Sequence, residues 1–275
     1  MSRPVLHSAL AALALVLGVV DASPAMVVTV GGYHDWTLVE DPPHPGMSAN
    51  VDSALQVSLG ANGAVPAGVD IGYQSVDGAT VGASTGGWYF SPSSDFSLAV
   101  DYAVSGSNPL GITAIGFGFG EDGDGANSGG AVLTFNNGSA LGFGGAARTN
   151  DVSTLAPILG AALASSGRLF VGYEAASGNV SYGYSATPGS FAPDVSGTFS
   201  GLQNGWTDSD LLVSLFLRSD ALPPFFGPLQ AGSFGVTFGP VEVLAGTPAA
   251  VPLPAAAWLL FPVLAGLARR RRRAA

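Results

Sequence analysis

The densest group of chemically capable side chains is the run Glu121-Asp122-Gly123-Asp124-Gly125-Ala126-Asn127. Glu121, Asp122, Asp124 and Asn127 offer hard oxygen ligands, and the two glycines let a loop curl around a cation, as a Ca²⁺ site requires. The run lacks the full EF-hand spacing and its closing glutamate, and acid–glycine runs also form ordinary hairpin tips. A glycosidase needs two carboxylates about 5–9 Å apart across the scissile bond. Glu121 and Asp124 lie in a glycine loop, not along a strand, and Glu174 and Glu242 read as isolated, solvated carboxylates. His34 and His44 have no metal-ligand spacing to a second His or Cys. No catalytic residue is assigned.

Aromatic faces pack on pyranose rings, so Trp36, Trp88, Tyr89 and Trp206 could form a sugar-stacking platform. Large aromatics more often fill a sandwich core, and that is the expectation here.

The elements that must position these residues read as strands. From Asp95 to Ser105, Phe96, Leu98, Val100, Tyr102 and Val104 alternate with small or polar residues, the period of a half-buried strand. Ile115, Phe117 and Phe119 alternate with glycines; Leu55, Val57 and Leu59 alternate earlier. Leu169-Val171-Tyr173 and Val180-Tyr182-Tyr184 flank Ala175-Ala-Ser-Gly-Asn179, a hairpin signal. Leu211 to Leu217 is nearly all apolar, as expected of a strand buried on both faces. Phe234, Val236 and Phe238 alternate, and Val241-Glu-Val243 follows after Gly239-Pro240. Many short strands between turn residues predict an all-β fold, an antiparallel β-sandwich, over residues 26–245. One segment departs from this: Val152, Leu155, Ile158, Leu159 and Leu163 fall at helical spacing after Asp151 in the N-cap position, which predicts a short irregular helix despite Pro157.

The chain has no cysteine, which removes disulfides, thiol catalysis and thiolate metal sites together. Between residues 26 and 250 three arginines face 18 of the chain's 19 carboxylates, with no lysine, so this body carries a charge near −15. Such a surface disfavours nucleic acid and anionic lipid.

Both ends read as addresses. Arg3, the apolar run Ala9–Val20 and the small residues Ser23-Pro24-Ala25 form a signal peptide over residues 1–25, with cleavage after Ala25 and an alternative after Ala22. At the other end, 20 uncharged residues run from Ala249 to Ala268. As a helix they span roughly 30 Å, one bilayer core. Arg269, Arg270, Arg271, Arg272 and Arg273 stop transfer and stay cytoplasmic. Pro252 and Pro254 resist helix formation and leave an extended stretch at the outer membrane face.

Val251, Pro252, Leu253, Pro254 and Ala255, followed by the apolar run and the arginine cluster, resemble the VPLPA variant of the PEP-CTERM sorting signals. That family implies an exopolysaccharide-making Gram-negative host. It also implies an exosortase, a membrane protease or transpeptidase, as the partner that removes the tail near the motif. Residues 246–255 are then the linker with the motif, 256–268 the main part of a single transmembrane helix and 269–275 the basic tail. The body's strand order resembles concanavalin-like (laminin G-like) jelly rolls, carried by Ser94-Asp95-Phe96-Ser97-Leu98, the hairpin from Gly167 to Tyr182 and the closing run Ala231-Gly-Ser-Phe-Gly-Val-Thr-Phe238. The resemblance implies glycan binding by analogy. The expectation is a non-enzymatic protein, held briefly in the inner membrane and then released to the cell surface or extracellular matrix. Its role there is structural or glycan-binding, with extracellular polysaccharide as the candidate partner and no cofactor beyond Ca²⁺. Two alternatives stay open: a polysaccharide hydrolase or lyase on the same sandwich, and a permanently anchored periplasmic protein.

Overall fold

Alternating apolar residues need a partner face, and here two sheets supply it to each other. A computed structural model describes residues 33, 36–52, 55–75, 89–121, 126–158, 160–207, 210–220 and 227–248. The signal peptide, sorting motif, apolar tail and arginine cluster lie outside these residues, as do His34, Trp88, Asp122 and Asp124. Among the described residues no helix is long and apolar enough to cross a membrane.

The strands are β1 Thr37–Asp41, β2 Met47–Val51, β3 Val57–Asn62, β4 Asp70–Gln74, β5 Tyr89–Phe90, β6 Phe96–Leu110, β7 Ile112–Gly120, β8 Ser128–Asn136, β9 Ser139–Thr149, β10 Val152–Ile158, β11 Ser166–Glu174, β12 Asn179–Ser185, β13 Val195–Phe199, β14 Leu211–Ser219 and β15 Ala231–Ala245. A 3₁₀ turn spans Leu202–Gly205. The first sheet runs β1-β4-β14-β7-β8-β9-β10, with β5 also on β14; the second runs β13-β12-β11-β6-β15-β3-β2. Every pairing is antiparallel. The protein is an all-β antiparallel sandwich of two sheets, as the alternation predicts.

The inner faces form one core. Phe96, Leu98, Val100 and Tyr102 of β6 meet Phe117 and Phe119 of β7, with Tyr173, Phe234 and Phe238 around them. Phe135 packs on Phe234 and Phe143 on Tyr184 across the two sheets, at centroid distances of 5.1 and 5.3 Å. Such pairs contribute about 0.5–1.5 kcal/mol each beyond area burial. A core of this size accounts for a fold without disulfides.

Three expectations need correction. The predicted helix after Asp151 is strand β10, paired with β9 from Val152↔Thr149 to Ile158↔Phe143. Asn150 and Asp151 have φ of 49° and 65°. That is a two-residue hairpin turn, so Asp151 turns the chain instead of capping a helix. Pro157 is tolerated because β10 is an edge strand. Second, β3 begins at Val57, and Leu55 sits before it with φ 64°, in a turn. Third, β14 is not buried on both faces: Val213, Leu215 and Leu217 enter the core, while Ser214, Phe216 and Arg218 stay half-buried on the far side.

Candidate functional site

That half-exposed side of β14 is the middle of the outer face of the first sheet. Directly opposed residues share a face in an antiparallel ladder. Two neighbouring rows therefore cross the sheet: Val39–Gly72–Phe216–Gly116–Val132–Gly144 and Thr37–Gln74–Ser214–Gly118–Gly130–Ala146–Leu155. Five of the ten places on β4, β14, β7, β8 and β9 are glycine, so side chains are sparse there. The result is a groove of about 560 Å³ crossing β1, β4, β14, β7, β8, β9 and β10.

Phe216 is the large aromatic of this floor. Its ring lies against Gly116, where a Cβ would overlap ring atoms. Glycine at 116 thus sets where the ring rests. Gly72 is needed for a different reason: a Cβ there would collide with the Leu215 carbonyl of the neighbouring strand. Ile112, Ala114 and Val132, with Ala146 and Phe216 packed against them, make a small apolar patch on this outer face.

Charged groups stand at both flanks of the floor. One further row joins Asp41, Asp70, Arg218 and Ala114; another joins Leu212, Gly120, Ser128, Arg148 and Ser153. Arg218 Nη1 donates to Asp70 Oδ2 at 3.0 Å. Burial pushes the Asp70 carboxyl above the usual carboxylate range; Arg218 opposes this, Asp41 across the ladder adds to it, and Arg148 opposes it more weakly. The groove therefore gathers three carboxylates, Glu40, Asp41 and Asp70, and two guanidinium groups, Arg148 and Arg218, from four distant parts of the chain.

The folded state holds the Asp70 proton more tightly than an unfolded chain. The stability that follows is fully present below the ordinary Asp pKa and is lost as pH rises through the elevated one. Arg218→Met removes the main opposing charge, so Asp70 is expected to titrate at still higher pH. A carboxyl-carbon NMR titration reads this directly, and an unchanged or lowered midpoint would contradict the assignment.

The residues singled out from sequence fall elsewhere. Of the acidic run, Glu121 and Asn127 are brought together: Asn127 Nδ2 donates to Glu121 Oε2 at 3.1 Å. Thr207 N and Thr207 Oγ1 donate to the same oxygen at 2.8 and 3.0 Å, and Asn127 Oδ1 accepts from Asn150 N at 2.8 Å. Both residues are buried, so this network ties the loop base to neighbouring hairpins. Among the described residues no group of three or more His, Cys, Asp or Glu is placed to hold a metal. Trp36 and Trp206 are in the core, as expected; Tyr89 stands half-buried opposite Leu212. His44 Nδ1 accepts from Gly46 N at 3.0 Å, a turn contact. Glu174 accepts from Asn179 Nδ2 at 2.9 Å within its hairpin. Glu242 is not a solvated carboxylate: it pairs closely with buried Arg168. The stretch Gly82-Ala83-Ser84-Thr85-Gly86 has nucleophile-elbow spacing and lies outside the described residues.

The groove itself was not anticipated. Its signal was the glycine alternating with Ile115, Phe117 and Phe119, which marks an outer face stripped of side chains.

No family model and no curated protein matches the chain. Solved structures do, at low identity. A Saccharomyces cerevisiae protein of unknown function is 15% identical over 78% of this chain and 99% of its own, with a TM-score of 0.48. The Bacillus licheniformis β-glucanase is 10% identical over 79% and 96%, with a TM-score of 0.43. The carbohydrate-binding module CBM66 from Bacillus subtilis is 11% identical over 77% and 96%, with a TM-score of 0.41.

Proposed function

We propose that this chain is a non-enzymatic, exported bacterial protein of the cell surface or extracellular matrix whose sandwich binds polysaccharide. The observation that carries the binding reading is the groove on the first sheet. A sugar ring has an apolar face and a rim of hydroxyls that both donate and accept. Phe216 on its glycine floor suits the apolar face. Asp41 and Asp70 accept, Arg218 donates, and Gln74 and Ser214 do both. The sandwich is taken to be of the jelly-roll, concanavalin-like kind, because successive strands cross repeatedly between the two sheets. The test is calorimetric titration of the purified protein with oligosaccharides from bacterial exopolysaccharide; absence of any saturable binding would remove this reading.

Export and sorting are supported by the two ends of the sequence. Signal cleavage at Ala25, transient inner-membrane residence through 256–268 and exosortase processing at Val251–Ala255 together predict a mature form without Arg269–Arg273. Intact mass and C-terminal peptide analysis of the protein from its native host checks this. A retained arginine tail would make it a permanently anchored protein instead.

A polysaccharide hydrolase is the second reading, and one observation favours it. Asp41 and Asp70 are directly opposed on the outer face of the first sheet. That places their Cβ atoms about 5 Å apart, near the carboxylate spacing of retaining glycosidases. Against it, Arg218 fixes the Asp70 carboxylate in an ion pair. Release of reducing ends that Asp41→Asn abolishes would establish this second reading.

A further inference from the structure

We propose that Arg148 makes the groove read charge: the polysaccharide it takes carries an occasional carboxylate-bearing sugar among neutral ones. This deepens the glycan-binding reading and rests on it. Between residues 26 and 250 the only cations in the sequence are Arg148, Arg168 and Arg218. Two of these three line the same groove, in a body whose charge is near −15.

They are unequally available to a ligand. Arg168 is buried on the other sheet between Asp101 and Glu242. Arg218 donates to Asp70 at 3.0 Å, with both side chains about a quarter exposed. Arg148 has only a loose pair with Asp151, at 4.0 Å, with side chains 43% and 77% exposed. Exposed pairs of that kind contribute close to nothing. A planar guanidinium so placed can meet an incoming carboxylate with two parallel N–H donors. The residues that adjoin Arg148 in its row, Ser128 and then Gly120, are too small to block the approach.

The other flank has the opposite character. Asp41 and Asp70 face each other there, and Arg218 is engaged by one of them. A carboxylate arriving at that flank meets like charge. A uniform polyanion is therefore disfavoured, while a mostly neutral chain with a carboxylate at the Arg148 end fits.

Three hexasaccharides test this by calorimetry on the purified protein: a neutral β-glucan hexaose, the same hexaose with one terminal unit oxidised to glucuronate, and an all-uronate hexamer. Either terminus is oxidised in turn. The expected result is about tenfold tighter binding of one singly charged form than of the neutral one, a ratio typical of one charge-assisted contact. That ratio should shrink with added salt. Arg148→Gln should bring it near one, Arg148→Lys should keep part of it, and Asp151→Asn should raise it. The all-uronate hexamer should bind more weakly than the preferred singly charged form. A ratio near one in the wild type, a ratio unchanged in Arg148→Gln, or tightest binding of the all-uronate hexamer overturns the inference and leaves the groove a glycan site. Failure of all three sugars to bind removes the glycan-site reading itself.

Discussion

Arg168→Ala is expected to lower unfolding free energy by about 3 kcal/mol, at the low end of the range for breaking a buried ion pair. Arg168 is only 2% exposed, 3.5 Å from Asp101 and in closer contact with Glu242. It stands on β11 directly opposite Asp101 on β6, while Glu242 comes from β15. Truncation leaves two carboxylates beside an emptied space with no countercharge. They are 38% and 23% exposed, so water relieves part of the penalty. The Asp101 side also holds the segment after β12, since Gly189 N donates to Asp101 Oδ1 at 2.9 Å. Arg168→Met with Glu242→Leu should lose less than Arg168→Ala alone, because one stranded charge is removed with the arginine. Urea unfolding midpoints at constant m-value check both. A loss under about 0.5 kcal/mol for Arg168→Ala would show that the pair is not structural.

Phe216→Ala is expected to weaken glycan binding by about tenfold or more, the scale of a central aromatic contact. The unfolding cost should be small, about 1 kcal/mol, because the ring is half-exposed and packs only on the outer patch. Gly116→Ala should weaken binding as well without deleting a contact atom. Its methyl group must displace the Phe216 ring, which can swing away where a backbone neighbour could not. Phe216→Trp should retain binding. Calorimetry on the three variants separates a stacking role from a packing role. Equal loss in Phe216→Trp and Phe216→Ala would mean that ring shape alone matters and stacking does not.

How much of this was legible in the sequence depends on which face of a strand is asked about. The inner face was plain: Phe96, Leu98, Val100 and Tyr102 alternate, and all are buried in the core. The hairpin at Ala175–Asn179 followed from its turn residues. The outer face was not legible, because register decides it. Nothing in the sequence says that Gly72, Phe216, Gly116 and Val132 share one row. The apolar run Leu211–Leu217 gave no sign that Phe216 leaves the core side. β10 misled for a local reason: its apolar residues happen to recur at helical spacing, and Asn150-Asp151 serves equally as a hairpin turn. Arg168 and Glu242 are 74 residues apart, and only the sheet brings them together.

The central claim is that the outer face of the first sheet is a glycan site, and amide NMR of the glycine floor tests it most directly. Gly72, Gly116, Gly118 and Gly130 report the groove; Gly60, Gly172, Gly183 and Gly235 lie on strands of the second sheet and serve as controls. Titrating an exopolysaccharide-derived oligosaccharide should shift the first set in a saturable way and leave the second unmoved. Shifts confined to the second set, or none in either, would contradict the account.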